Sequence, residues 1–401
     1  MAEEENSLNE RSTISWLHVG LFTFTRIVLS TSIRMVYPFL AVFARGIGVS
    51  VEQFSLALST RSLVSTAAPV LAPISDRFGC RTGMALGLGI FTVGMGWITF
   101  FPSFAGLIAA LSLGLLGVNI FISAMQSYLG QQVAYQQRGR VMAVTELGWS
   151  LSYILGMPLV GVLLSGGGWR APFAALAGLG AAMLILLLRI LPDTRPSSAS
   201  VPNLVNPLRT VFTTPAAVAG LCMGVCISGA NEMVNVMFGV WMEGSFGLKI
   251  AGLGAAAAVI GLSELSGEGG SAALVDRLGK ERSVRIGLLL AALAAGLLPF
   301  LGQLGLVGAL IGLFLFYLTF EFTLVSSLPL ISQVLPAARA TLMSVNFAAY
   351  SAGRALADLA APYLFRQSFY WNAAASVALY LLAVLLLSRV KIQSENEPRQ
   401  G

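Results

Sequence analysis

Arg26, Arg34, Arg61 and Arg354, together with Glu146, Glu232, Glu264, Glu268, Glu321 and Asp358, stand inside stretches of sequence that are otherwise apolar. A charge at the centre of a bilayer helix costs about 2.5–3.5 kcal/mol on insertion scales, so such residues face a pathway or a partner rather than lipid. Glu264 and Glu268 are four apart and share one helical face. Two carboxyls on one poorly hydrated face cannot both ionise cheaply, which is the property a proton carrier needs. The competing reading is that both are solvated, or neutralised by Arg61. Arg354 and Asp358 are also four apart. They form either a local ion pair on a packed face or a pair that trades Asp358 between Arg354 and a proton. Glu232, Glu264, Glu268, Glu321 and Asp358 are thus the proton-coupling candidates. Glu146 lies six residues past Arg140 and fits a flanking charge cluster as well as a pathway.

The stretches that carry these groups define the class. The 401 residues are 56% hydrophobic and 10% charged, whereas a soluble domain carries about 25% charged residues. Apolar runs near 20 residues recur along the whole chain, the mark of an all-α, multi-pass membrane protein. Twelve spans are expected, six on each side of a linker. The divisions are a polar tail at 1–14, an N-terminal six-helix bundle at 15–190, a linker at 191–214, a C-terminal six-helix bundle at 215–390 and a tail at 391–401. The linker holds Pro192, Pro196, Pro202 and Pro207 among several serines, which suits an irregular loop. Met1–Glu10 is acidic and polar, so no secretory leader is expected and the first apolar run should be retained.

Lysine and arginine set the orientation. With both termini in the cytoplasm, sixteen basic residues fall on the inner side and four on the outer. The expected location is a bacterial-type inner membrane. Cys80, Cys222 and Cys226 are too few for a disulfide framework. Cys222 and Cys226 share a face without a histidine or carboxylate cluster, so they read as packing and no metal is expected. His18 sits at a span start and reads as interfacial. No Gly-x-x-x-x-Gly-Lys-Ser/Thr loop occurs, which argues against ATP-driven transport. No cofactor, nucleic-acid partner or enzymatic activity is expected.

The chain also repeats itself. Ser75-Asp76-Arg77-Phe78-Gly79-Cys80-Arg81-Thr82 is echoed by Val275-Asp276-Arg277-Leu278-Gly279-Lys280-Glu281-Arg282. Arg138-Gly139-Arg140-Val141-Met142-Ala143-Val144 is echoed by Arg339-Ala340-Thr341-Leu342-Met343-Ser344-Val345. Asp76 precedes a sharp turn at Gly79, which can take a positive φ. If the 200-residue offset holds throughout, Glu232 lies at about the depth of Arg34, flanked by Asn231 and Asn235. Tyr37 and Pro38 follow Arg34, so the outer end of span 1 should kink there.

These turns resemble the loop between spans 2 and 3 of the major facilitator superfamily, and two copies in matching places strengthen the resemblance. It implies two pseudo-symmetric six-helix bundles working by alternating access around a central site. It implies a cytoplasmic latch in which Asp76 meets the start of span 11, with Arg77, Arg81, Arg138, Arg140, Asp276 and Arg277 as further gate candidates. It also implies that spans 1, 4, 7 and 10 line the cavity, which nominates Arg26, Arg34, Tyr37, Asn119, Asn231, Glu232, Asn235 and Glu321 for substrate binding. In span 5, Gly156, Pro158 and Gly161 resemble the Gly/Pro motif of the superfamily's exporters. The nearest subfamily by that likeness is the bacterial sugar- and drug-efflux permeases. Span 1 carries Arg26 and Arg34 where many such exporters carry an acid, and the span 4 arginine motif of proton antiporters is missing: Gly114 to Gln126 has Asn119 and no basic residue. The leading expectation is a monomeric secondary transporter exporting a small molecule, with protons as the exchanged partner. The alternatives are an uptake symporter or facilitator for a small organic anion or sugar, a lipid-headgroup flippase, and a non-transporting receptor.

Overall fold

The computed structural model describes residues 15–66, 79–192 and 205–390, and every regular element in them is helical. Span 1 is Trp16–Arg34 continued by Leu40–Ile47; span 2 is Val51–Thr66; span 3 is Cys80–Phe100; span 4 is Phe104–Gln132. Span 5 runs from Tyr135–Leu151 through a π-turn at Ser152–Gly156 into Met157–Gly167, and span 6 is Ala171–Ile190. A short helix, Val205–Thr213, precedes span 7, which is Pro215–Asn235 continued by Phe238–Phe246. Spans 8 to 12 are Ile250–Leu278, Lys280–Gln303, Leu306–Ile331, Arg339–Phe365 and Phe369–Leu387. Among the described residues, ten helices are long and apolar enough to cross a membrane, and the bent pair Leu40–Ile47 with Val51–Thr66 raises the number to eleven. Span 11 is long enough at 27 residues but holds Arg354 and Asp358, which lower its hydropathy.

The described residues fall into two compact units. One comprises 15–50, 79–192 and 249–261; the other comprises 51–66, 205–248 and 262–390. In the first, span 3 packs along spans 4 and 6, and span 1 packs along spans 5 and 6. In the second, span 9 packs along spans 10 and 12, and span 7 packs along spans 11 and 12. Adding six to each span number turns the first set into the second, so the duplicated sequence folds as a duplicated architecture. The first unit also takes in the opening turns of span 8, where Gly254 lies against the Met157 backbone of span 5. The second takes in span 2, whose Ser59 donates to the Ala355 carbonyl of span 11 (2.9 Å).

The repeat extends to the backbone. Gly79 opens span 3 at φ 88°, ψ 150°, and Gly279 opens span 9 at φ 83°, ψ 147°. That region is essentially closed to residues with a Cβ, which is why both copies keep glycine there. Asp76 and Arg77, beside the first of these turns, lie outside the described residues.

Spans 1 and 7 both break, at corresponding places in the two sequence repeats. In span 1 the helix ends at Arg34 and resumes at Leu40. Pro38 has no N–H and its ring would press on the Arg34 carbonyl, so that carbonyl accepts from the Tyr37 amide instead (3.2 Å). The expected kink is therefore present. Span 7 breaks at Val236–Met237 with no proline: the Met237 amide turns back to Val234 (3.1 Å). The Met233 carbonyl left over accepts from Asn372 Nδ2 of span 12 (2.9 Å). A helix interruption inside a membrane requires such a partner, because lipid supplies no donor.

Candidate functional site

A polar chain crosses the second unit from span 10 to span 2. Tyr317 Oη donates to Asn235 Oδ1 (2.7 Å), and Asn235 Nδ2 donates to Glu232 Oε2 (3.2 Å). The Glu232 carboxyl lies beside the Asp358 carboxyl of span 11. Ser62 Oγ of span 2 donates to Asp358 Oδ2 (3.2 Å), and the Arg61 guanidinium acts electrostatically on Asp358. All six side chains are buried; Glu232 is 1% exposed and Asp358 is fully enclosed.

The sequence explains how these groups meet. Spans 7 and 11 approach closely because Gly229 faces Gly353: a Cβ on Gly229 would lie 3.3 Å from the Gly353 carbonyl oxygen. Small residues let membrane helices come together without a hydrophobic drive. Asn372 and Ser376 of span 12 fasten the Met233 and Ala230 carbonyls on either side of Glu232 (2.9 and 2.8 Å). Span 2 is fastened by serines, with Ser59 and Ser62 three residues apart on the face that meets span 11.

The chemistry of the pair follows from its donors and acceptors. Ionised carboxylates only accept hydrogen bonds, so a carboxyl-to-carboxyl hydrogen bond needs one proton on the pair. Two negative charges side by side in a buried place repel each other far more than they would in water. With one proton shared, the cluster holds one carboxylate and one guanidinium and sums to zero.

In the first unit the arginines are engaged. Arg26 of span 1 forms an ion pair with Glu146 of span 5, and Gln126 Nε2 of span 4 reaches the same carboxyl (3.4 Å). Glu146 is half-buried and pairs with Arg26 inside the first unit. Arg34 donates from Nη1 to the Trp149 carbonyl (2.9 Å), and its guanidinium lies 3.9 Å from the centroids of both the Trp149 and Tyr153 rings. Such a stack is a strong cation–π arrangement when desolvated. The π-turn at Ser152–Gly156 lies at this point and precedes Pro158, whose missing N–H interrupts the helical ladder. Gly156 lies against Thr31 of span 1 and Gly161 near the Ile250 carbonyl, so the span 5 residues serve close packing.

The remaining candidates are placed as follows. Tyr37 and Asn231 are buried, and Asn119 is half-buried in span 4. Glu264 is buried and Glu268 half-buried, one turn apart on span 8. Glu321 is buried, with Gly267 of span 8 against its Cβ. Arg81 caps the Leu188 carbonyl at the end of span 6, a favourable place for a cation. Arg138 reaches the Val133 carbonyl (3.4 Å), and Arg140 lies over the Trp16 ring. Asp276 and Arg277 are exposed at the end of span 8. The groups around Asp358 are Glu232, Arg61 and Ser62, so the local pair with Arg354 expected from their spacing is not what engages it. Arg354 acts on Tyr350. Tyr317, Ser62, Trp149 and Tyr153 were not among the expected site residues. Tyr317 carried a readable signal, since it precedes Glu321 by one helical turn; Ser62 carried none beyond its neighbour Arg61.

The Major Facilitator Superfamily model matches residues 22–358. The uncharacterized MFS-type transporter YceJ of Bacillus subtilis (strain 168) is 27% identical over 378 residues, 93% of this chain and 96% of that protein. The multidrug resistance protein fnx1 of Schizosaccharomyces pombe is 27% identical over 205 residues, 50% of this chain and 37% of that protein. Among solved structures, a D-xylose–proton symporter aligns with a TM-score of 0.77 at 15% identity, covering 92% of this chain and 96% of that one. That last likeness is one of fold.

Proposed function

The chain belongs to the Major Facilitator Superfamily and is a multi-pass membrane transporter; on that premise we propose that it is a proton-coupled antiporter that exports a small organic molecule. The observation that supports coupling is the buried Glu232–Asp358 pair beside Arg61. The pair is neutral with its arginine when one proton is bound and carries a net negative charge when that proton leaves. A change of one buried charge gives two states of the protein different energies, which is what coupling requires.

Export rests on two features. Gly156, Pro158 and Gly161 resemble the exporters' motif, and a relative matched over half of this chain and 37% of its own length is named for multidrug resistance. The substrate is inferred to be uncharged or weakly charged. Arg26 is paired with Glu146, Arg34 is stacked between two rings, and Arg61 stands by Asp358. An organic anion would have to compete with those partners. The protein is taken to act as a monomer in a bacterial-type inner membrane with both termini inside.

The test is a panel of neutral, cationic and anionic compounds scored by thermal shift on purified protein. Each hit is then followed by flux in liposomes with and without an imposed pH gradient. Flux of neutral or cationic hits that rises with an opposing proton gradient supports the reading. Equal flux with and without the gradient removes proton coupling, and accumulation along the proton gradient replaces antiport with symport.

A further inference from the structure

Span 12 ties together the two helices that carry the acids. Asn372 lies fully buried in its first turn, and a single side-chain nitrogen serves both neighbours. Nδ2 donates to the Met233 carbonyl of span 7 (2.9 Å) and to the Ala361 carbonyl of span 11 (3.0 Å). Carbonyls only accept, so the carboxamide must turn its nitrogen toward them, and both of its hydrogens are spent. Met233 is the residue after Glu232, and Ala361 lies three residues past Asp358. The Gly229–Gly353 approach comes before both acids, three residues ahead of Glu232 and five ahead of Asp358. The pair therefore sits between two ties, one made by the absence of side chains and one by a side chain from a third helix.

Asn372 exerts its hold without charge. Between Phe369 and Leu387, span 12 has no acidic, basic or histidine side chain. The ionisable groups acting on Asp358 are Glu232 of span 7 and Arg61 of span 2. Glu232 is reached through Asn235 by Tyr317 of span 10. Arg354, on span 11 itself, acts on Tyr350. The hydrogen bonds of Asn372 go to backbone, so its influence on the acids runs through the position of the helices that bear them.

We infer that Asn372 is a positioning residue for the proton site: by holding spans 7 and 11 to one nitrogen, it sets the separation of the Glu232 and Asp358 carboxyls and thereby the pH at which the pair gives up its proton. The inference rests on the proton-coupled reading above. How two neighbouring carboxyls share a proton depends on their distance, through both repulsion and hydrogen bonding. Functional groups of this kind need supports that hold them to within about 0.5 Å. A neutral side chain exchanged for another neutral one adds no charge to the site, so a changed titration reports a changed geometry.

The experiment is an infrared-detected pH titration of the full chain in a maltoside detergent, which has no carbonyl group of its own. The protonated carboxyl band is assigned to the pair by its loss in Asp358→Asn, and its midpoint is then measured in Asn372→Leu and Asn372→Ala. Leucine keeps the size and removes both donors. Alanine makes no new contact, so it reports even if the leucine variant fails to fold. Each is expected to move the midpoint by at least about one pH unit, a tenfold change in proton affinity. Ser228→Ala is the comparison: it removes another tie between spans 7 and 11, the bond from Ser228 Oγ to the Tyr350 carbonyl (2.8 Å), which does not flank the acids. Its midpoint should stay at the native value. A native midpoint in the Asn372 variants, or an equal shift in Ser228→Ala, overturns the positioning role and leaves the coupling reading standing. A native protein with no Asp358-dependent titrating band overturns the coupling reading itself, and the positioning role with it.

Discussion

Glu232 of span 7 and Asp358 of span 11 meet carboxyl to carboxyl, fully buried, with Arg61 of span 2 as the neighbouring cation. If the pair carries the coupling proton, replacing either acid by its amide removes that role while conserving the shape. Glu232→Gln and Asp358→Asn are each expected to lower gradient-driven flux at least about tenfold, within the range lost when a positioned proton-transfer group is removed. Exchange of substrate between equal pools, which needs no net proton movement, should persist. Flux assays in liposomes with matched protein content check this. Gradient-driven flux at the native rate in both variants counts against the pair as the coupling site.

Gly79 and Gly279 hold the same backbone conformation at equivalent turns (φ 88° and 83°). A Cβ there costs on the order of 1–3 kcal/mol. Gly79→Ala and Gly279→Ala should therefore each lower thermal stability in detergent by a similar amount. Unequal losses would show that the two copies of the turn no longer serve the same structural role.

The contact between spans 7 and 11 sets a contrast between two glycines. Gly353 lies against the Val225 carbonyl and the Gly229 amide, whereas Gly269 of span 8 has nothing within 4 Å of where a Cβ would be. Gly353→Ala overpacks the contact and should destabilise by about 1–3 kcal/mol. Gly269→Ala relieves a helix-interior glycine and should stabilise by roughly 0.5–1 kcal/mol. Thermal unfolding of the two variants side by side tests the sign. Gly353→Ala should also disturb the Glu232–Asp358 contact and reduce gradient-driven flux; Gly269→Ala should not.

The duplication was legible because it is written in local chemistry. A turn that needs glycine, an Asp-Arg pair before it and a Pro38 after Arg34 each act within a few residues. The ionisable residues were legible because lipid excludes charge. Their partners were not. Depth along a helix can be counted from a loop, and that count set Glu232 level with Arg34. It carries no information about azimuth. Asp358 lies 126 residues from Glu232 in sequence; the close packing of spans 7 and 11, at Gly229 and Gly353 among other places, brings them together. The i to i+4 spacing of Arg354 and Asp358 suggested a local pair, but a tertiary carboxyl and a second arginine engage Asp358.

The Arg26–Glu146 pair predicts an asymmetry between its two members. The Arg26 side chain is 7% exposed and the Glu146 side chain 45% exposed. Removing the carboxylate takes a counter-charge from a buried cation, which costs about 3–5 kcal/mol in enclosed pairs and less here because the acid is half-exposed. Removing the guanidinium leaves a carboxylate that already reaches the unit's surface and keeps Gln126 beside it. Glu146→Gln should therefore lower the unfolding temperature more than Arg26→Gln does. The double variant should recover part of the loss, because it leaves neither charge facing a neutral partner. Calorimetry or a thermal-shift series on the three variants decides it. Equal losses from the two single variants would mean that Arg26 is held chiefly by its packing against Gly148 and not by the carboxylate.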